Sequence, residues 1–140
     1  MKKCLLILFV LLSKSAFTQL ADDFTDGDFT INPTWRGSNG GADFIVDEKQ
    51  LRSNLTTPDT SFFLSTPNTI SSNCQWEFWV NLRFATSRSN YVDVYLVSDN
   101  EDMNSSVING YFVRIGNTDD EISLYKRTGA MTSTVKLIDG

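Results

Sequence analysis

Histidine is absent from the 140-residue chain. Its absence removes the Ser-His and Cys-His pairs of nucleophilic catalysis and the commonest zinc ligand. Cysteine is almost as scarce: Cys4 lies in the apolar N-terminus, and Cys74 stands alone in the rest of the chain. We therefore expect no internal disulfide. Because Cys74 heads an apolar segment, we predict an inert, buried thiol.

Long apolar runs are also missing, and the N-terminus has a short one. Met1–Lys3 is basic, and Cys4–Leu12 is a run of nine apolar residues, which is too short for a bilayer core about 30 Å thick. Small residues follow as far as Thr18. This order is typical of a secretory signal peptide. We predict a leader over residues 1–18 with cleavage after Thr18, and a secreted or surface-displayed product without membrane insertion.

The chain carries little positive charge. Its net charge is −5, and loss of Lys2, Lys3 and Lys14 with the leader would lower it to −8. An acidic surface of this size argues against nucleic acid and anionic lipid as partners.

Helical periodicity is absent after Gln19, and short β-type runs alternate with turn residues. Many short strands at this spacing predict an all-β sandwich or barrel. Asn117–Asp120 has the composition of a tight hairpin turn. The chain is short for a two-sheet sandwich and stops directly after a strand-like run, which suggests C-terminal truncation. The predicted strands are Asp43–Asp47, Gln50–Asn54, Ser61–Thr66, Cys74–Phe84, Asn90–Ser98, Gly110–Asn117, Glu121–Arg127 and Thr134–Ile138.

Strict alternation of side chains between Gln75 and Ile115 predicts two sheet faces. One face is expected to build the core, and the other to meet water while displaying aromatic side chains among charges and amides. The predicted core positions are Trp76, Phe78, Val80, Leu82, Phe84, Val92, Val94, Leu96, Tyr111, Val113 and Ile115, with Trp35, Phe44, Phe62 and Phe63 added as core aromatics. The predicted wet face carries Glu77, Trp79, Asn81, Arg83, Tyr91, Asp93, Tyr95, Phe112 and Arg114.

Six segments together resemble the N-terminal region of large secreted or surface proteins of Bacteroidetes-type bacteria. The segments are Asp22–Phe29, Asn32–Gly37, Asp43–Val46, Trp76–Val80, Tyr95–Asp99 and Asn109–Gly116. Such proteins often carry lamin-tail-like domains and a C-terminal sorting signal further along. That N-terminal region is similar to the concanavalin A-like lectin/glucanase jelly roll. The resemblance implies a two-sheet antiparallel sandwich over residues 19–140 and downstream modules in the same protein.

Glycoside hydrolysis requires two carboxylates about 5–9.5 Å apart. The jelly-roll glucanases, by resemblance, place theirs in a Glu-x-Asp-x-x-Glu strand. Here Glu77 is followed by Trp79 where the next acid should stand, and Asp93 is followed by Tyr95. We therefore predict a module without catalytic activity and keep a glycoside hydrolase-like enzyme as a distant alternative.

The wet face is the candidate glycan-binding surface. Flat aromatic rings stack on the apolar faces of sugars while amides and carboxylates bond the hydroxyls. Two interpretations stay open: Trp79 contacts a glycan, or it lies under a covering loop in a structural or adhesive spacer. If the strands pair as a meander, Phe112 and Tyr125 stand near the site. The candidate residues are Glu77, Trp79, Asn81, Arg83, Tyr91, Asp93, Tyr95 and Arg114.

The acidic opening is a candidate calcium site. Asp22, Asp23, Asp26 and Asp28 surround Gly27, and Ca²⁺ takes six to eight oxygen ligands. Their spacing matches neither an EF-hand nor a tandem aspartate repeat, and Asp26-Gly27 also suits a plain β-turn. The loop Asp99–Asp102 is a weaker calcium candidate.

Overall fold

The structure is a computed structural model that describes residues 20–140, so the predicted signal peptide over residues 1–18 lies outside the described residues. Over this range the protein is all-β, with two 3-10 turns at Ser38–Gly41 and Met131–Ser133. No helix within the range is long and apolar enough to cross a bilayer. The strands are β1 (Arg36–Gly37), β2 (Phe44–Asp47), β3 (Gln50–Ser53), β4 (Leu64–Ser65), β5 (Tyr91–Ser98), β6 (Ile108–Gly116), β7 (Glu121–Gly129) and β8 (Thr134–Ile138).

Strands β5 to β8 form one antiparallel sheet in the order in which they occur in the chain. The predicted turn at Asn117–Asp120 joins β6 to β7, and Asn117 and Asp120 both adopt positive φ, at 72° and 55°. Asn and Asp tolerate that backbone region better than most residues. The predicted hairpin is therefore confirmed, together with all four strands of this sheet.

The N-terminal half contains only short pairings among the described residues. Strands β2 and β3 form a hairpin, and β1 pairs with β4 over two residues. The predicted strand Ser61–Thr66 is confirmed only over Leu64–Ser65. Phe44 and Phe62 pack with ring centroids 5.2 Å apart, which places them together as half-buried aromatics. A second small cluster joins Trp35 to Asp22, whose carboxylate accepts a 2.8 Å hydrogen bond from the indole nitrogen.

The predicted strand Cys74–Phe84 has no ladder partner among residues 20–140. Alternation of exposure is weak there, because Trp79 is 72% exposed and the neighbouring Phe78 is exposed too, at 43%. Trp76, Phe78 and Phe84 were expected in the core, and that expectation is wrong, since all three are exposed. A period of two reports which side chains share a face, but strand pairing also requires a neighbour with free backbone groups.

The main sheet has two faces that the strand register defines, because directly paired residues lie on the same side. We call them the aromatic face and the aliphatic face. The aromatic face carries Tyr91, Asp93, Tyr95, Phe112, Arg114, Ser123, Tyr125 and Arg127. The aliphatic face carries Val92, Val94, Val113, Ile115, Ile122, Leu124, Val135 and Ile138.

Burial departs from the sequence-based expectation at two neighbouring positions of β6. Tyr111, which was predicted to be in the core, is 39% exposed, and Phe112, which was predicted to be on the wet face, is 0% exposed. The reason is packing across the strands: Tyr95 and Tyr125 stack on the two sides of Phe112, with ring centroids 4.9 and 5.3 Å away. Three neighbouring aromatic rings shield one another more completely than branched aliphatic side chains on an uncovered sheet face.

Arg127 lies within this buried region of the aromatic face and is 2% exposed. Its Nε donates to the Gly129 carbonyl at 3.0 Å, and its Nη2 donates to the Ser105 carbonyl at 2.9 Å. A buried guanidinium is tolerated where its donors are satisfied. Arg127 therefore fastens the loop between β5 and β6 to the sheet.

Candidate functional site

Four of the eight candidate glycan-binding residues lie together on the aromatic face. Arg114 stands opposite Asp93, and its Nε and Nη2 donate to the two carboxylate oxygens, both at 2.7 Å. The same guanidinium lies 3.9 Å above the centroid of the Tyr91 ring. Burial of Arg114 would lower its pKa, but the hydrogen bonds and charge of Asp93 outweigh that effect and raise it. The pair is thus a fixed, bidentate ion pair with a ring beneath it.

Tyr95 completes this group but has little free surface on its ring. It stacks on Phe112, and its hydroxyl accepts a long hydrogen bond, 3.5 Å, from Arg127 Nη1. Its main contacts are therefore within the protein. The aromatic face, as a whole, has its charges and rings engaged with one another rather than directed toward water.

The other four candidates lie in the Trp79 segment, which we define as residues 76–84. Glu77, Trp79, Asn81 and Arg83 are all exposed. Trp79 has the largest exposed fraction of any large apolar side chain in the described part of the chain. No loop within residues 20–140 covers it, so the indole presents a flat apolar surface, and the exposed Glu77 and Asn81 lie two residues away on either side in the chain.

The turn that joins the two groups does not pair them as expected. Ser87 and Asn90 exchange two backbone hydrogen bonds, both 3.0 Å, in an isolated bridge. Within residues 20–140 this pairing does not continue along the Trp79 segment and β5. A Cβ built on Gly116 would lie 3.6 Å from Leu82 Cδ1 and 2.5 Å from Thr86 Cγ2.

The odd-numbered members of the Trp79 segment consequently do not lie beside Tyr91, Asp93 and Tyr95. Leu82 and Thr86 turn toward the aromatic face, because Gly116 pairs with Tyr91. No hydrogen bond, ion pair or ring contact joins the two groups of candidates within residues 20–140. The eight candidate residues therefore lie on two separate surfaces. Those on the aromatic face contact one another, and those around Trp79 are exposed to solvent.

The acidic opening uses its carboxylates in local turns. Asp22 accepts a hydrogen bond from the Phe24 amide at 2.9 Å, and Asp26 accepts one from the Asp28 amide at 3.1 Å. Asp23 and Asp28 accept from the hydroxyl and amide groups of Thr25 and Thr30, which lowers the pKa of both carboxyls. Each carboxylate therefore shapes the backbone two residues further along the chain.

The described residues include no preformed set of side chains for binding a metal ion. Among residues 20–140, no group of three or more Asp, Glu, Cys or His side chains is placed to hold a metal ion. Asp99, in the second calcium candidate, instead accepts hydrogen bonds from the Asn109 amide and side chain. Calcium binding at Asp22, Asp23, Asp26 and Asp28 stays a prediction.

Sequence reasoning missed two buried polar residues of the aromatic face, Ser123 and Arg127, although both share the parity of Tyr125. Parity together with the predicted hairpin would have placed them on that face. It would not have shown that Arg127 is buried, because one of its partners is the backbone carbonyl of Ser105, 22 residues away in the chain. Cys74 is a free thiol and half-buried, rather than fully buried as expected.

Comparison with known proteins gives no match to a protein-family model, to a curated protein or to a solved structure. The resemblance to concanavalin A-like regions therefore rests on the sequence segments alone.

Proposed function

We propose that the chain is a module, without catalytic activity, of a secreted or cell-surface protein, and that it binds carbohydrate through the Trp79 segment. In this proposal the described strands belong to a two-sheet antiparallel sandwich of the concanavalin A-like class. Secretion is inferred from the N-terminal sequence pattern. The single observation that carries the binding proposal is the 72% exposure of Trp79.

An exposed indole is costly unless it meets a partner, and its flat face suits the C–H face of a pyranose ring. Glu77, Asn81 and Arg83 are exposed on either side of it, and they supply acceptors and donors for sugar hydroxyls. Tyr91, Asp93, Tyr95 and Arg114 take a supporting part in this proposal, because their polar groups already bond one another. Engagement of Asp93 by Arg114 also supports a role other than acid–base catalysis.

The test compares Trp79→Ala with Trp76→Ala on a glycan array. Trp76 is 41% exposed in the same segment and has the opposite parity, so it is a matched control. We expect Trp79→Ala to abolish binding while the thermal midpoint stays within a few degrees, and Trp76→Ala to retain binding. Equal binding by wild type and Trp79→Ala would remove Trp79 from the site.

A structural or adhesive spacer is the second candidate. The exposed aliphatic face, with Ile122 63% and Val135 60% exposed, favours it, because sheet faces of this composition usually pack against another layer. A blank array for the wild-type protein would favour the spacer over the lectin-like module.

A further inference from the structure

A shallow hollow lies at one end of the main sheet, on the same side as the aliphatic face. We call it the Tyr111 hollow and define it by Asp99, Asn109, Tyr111, Lys126 and Thr128. Its volume is about 450 Å³, which is within the usual range for small-molecule sites. It contains none of the eight candidate residues discussed above.

The polar wall of the hollow is held by fixed hydrogen bonds. The backbone nitrogen of Asn109 donates to Asp99 Oδ1 at 2.7 Å, and its side-chain Nδ2 donates to Asp99 Oδ2 at 2.6 Å. The Gly129 amide donates to Asn109 Oδ1 at 3.0 Å, which fixes the orientation of the side-chain amide. Each Asp99 oxygen keeps a lone pair, and Asn109 keeps one N–H, for a ligand.

The apolar part of the hollow is the ring of Tyr111, which is 39% exposed. Lys126 stands directly opposite Tyr111 in the ladder, and its ammonium lies 5.7 Å from the ring centroid. Lys126 forms no ion pair with another residue in the described range. The hollow thus combines an exposed ring, a fixed acceptor and two kinds of donor.

The backbone around the hollow is shaped by a β-bulge between Tyr95 and Val97. A Cβ added to Gly110 would lie 2.4 Å from the Val97 carbonyl oxygen, so a larger residue at 110 would force the strands apart. Bulges redirect side chains and are frequent beside binding sites. This one returns Val97 to the side of Tyr111 and opens the space above the ring.

We propose that the Tyr111 hollow binds one neutral pyranose ring, as a second carbohydrate contact of the module. This inference rests on the proposed function but uses different residues on a different surface. The ring would lie on Tyr111, with its hydroxyls bonded by Asp99, Asn109 and Lys126. A neutral ring suits the hollow because the Asp99 carboxylate and the Lys126 ammonium both line it, so that their two charges offset each other.

The test is a titration of the ¹⁵N-labelled whole chain with methyl glycosides of glucose, galactose and mannose, followed by NMR. We expect at least one of the three to shift the Asn109 side-chain amide and the Tyr111 backbone amide saturably. Tyr111→Ala should weaken that binding at least about tenfold, since the ring face is lost. Ile122→Ala, at a more exposed position on the aliphatic face, should leave it unchanged.

The signals separate this inference from the proposed function. Saturable shifts of the Trp79 indole without shifts of Asn109 or Tyr111 would overturn the hollow and leave the Trp79 site standing. Shifts at the hollow alone would support it and remove Trp79 from binding. An unchanged spectrum with all three glycosides would overturn the hollow, whereas the glycan array decides on the Trp79 site. Tighter binding of methyl glucuronide than of the neutral glycosides would overturn the assignment of a neutral ring.

Discussion

The two halves of the described chain use similar strand-like sequence to different effect. Residues 91–138 form four neighbouring strands joined in chain order, and each pairs with the next. Residues 20–90 form two-stranded pieces and leave the Trp79 segment unpaired within the described range. The comparison teaches that alternation predicts the orientation of side chains, whereas pairing depends on a turn that brings a free strand edge nearby. Four experiments can test this contrast.

Hydrogen exchange should give the largest difference, because it can span the whole stability of the protein. Both edges of β6 and β7 are paired, so amides such as Val113 and Leu124 open only with the sheet. Phe78 and Val80 have no ladder partner. We expect protection in the first pair to exceed that in the second by about a thousandfold or more, as measured by NMR. Similar protection would mean that the Trp79 segment pairs in solution.

Truncation of an aromatic side chain should also separate the halves. Phe112→Ala removes a fully buried ring between Tyr95 and Tyr125, and we expect a loss of about 3–5 kcal/mol in the free energy of unfolding. Phe78→Ala, at an exposed position, should cost less than about 1 kcal/mol. Urea unfolding followed by circular dichroism measures both, and equal losses would contradict the assignment of the core.

Removing an arginine side chain should also distinguish the two halves, with a smaller difference in the free energy of unfolding. Arg127→Ala leaves the part-buried carbonyls of Ser105 and Gly129 without their donor, so we expect a loss of about 2–3 kcal/mol. Arg83→Ala, an exposed matched control, should lie within about 0.5 kcal/mol of wild type. The same urea experiment compares them. A neutral Arg127→Ala would show that the loop between β5 and β6 is held by other contacts.

The smallest expected effect concerns Asp99. Hydrogen bonds from the Asn109 side chain and backbone hold the pKa of Asp99 below its ordinary value. A depressed folded pKa stabilises the folded state above the unfolded pKa, and this stabilisation is lost as pH falls through the folded pKa. Asn109→Ala should raise the pKa of Asp99 toward its ordinary value, because the largest cause of its lowering is lost, as measured by carboxyl NMR titration. An unchanged pKa would mean that the side-chain bond is not formed.

Sequence patterns were sufficient for the sheet of β5–β8 because each connection carries its own signal, such as Asn117–Asp120. They were insufficient to predict which face of this sheet is buried. The charges of Asp93 and Arg114 suggested a solvent-exposed face. Two opposite charges directly across a ladder neutralise each other, however, and such a pair can be partly buried. Only the register, which no single strand reveals, shows that they meet.

The candidate site could be predicted in part for the same reason. Trp79 is exposed as parity predicted, but parity failed for Trp76 and Phe78, which are exposed as well. The separation of Trp79 from Tyr91 could not be predicted, because it depends on the absence of strand pairing beyond the bridge between Ser87 and Asn90 within residues 20–140. The Tyr111 hollow carried no sequence signal, because it depends on a bulge and on the close approach at Gly110.

Lys136 occupies the middle of β8, the outer strand of the sheet, and bonds Glu121 and Asp139. These two ion pairs hold the ammonium group near the Tyr125 ring and connect β8 to the start of β7. Because salt screens ion pairs at a protein surface, the attachment of β8 to the sheet should weaken as ionic strength rises.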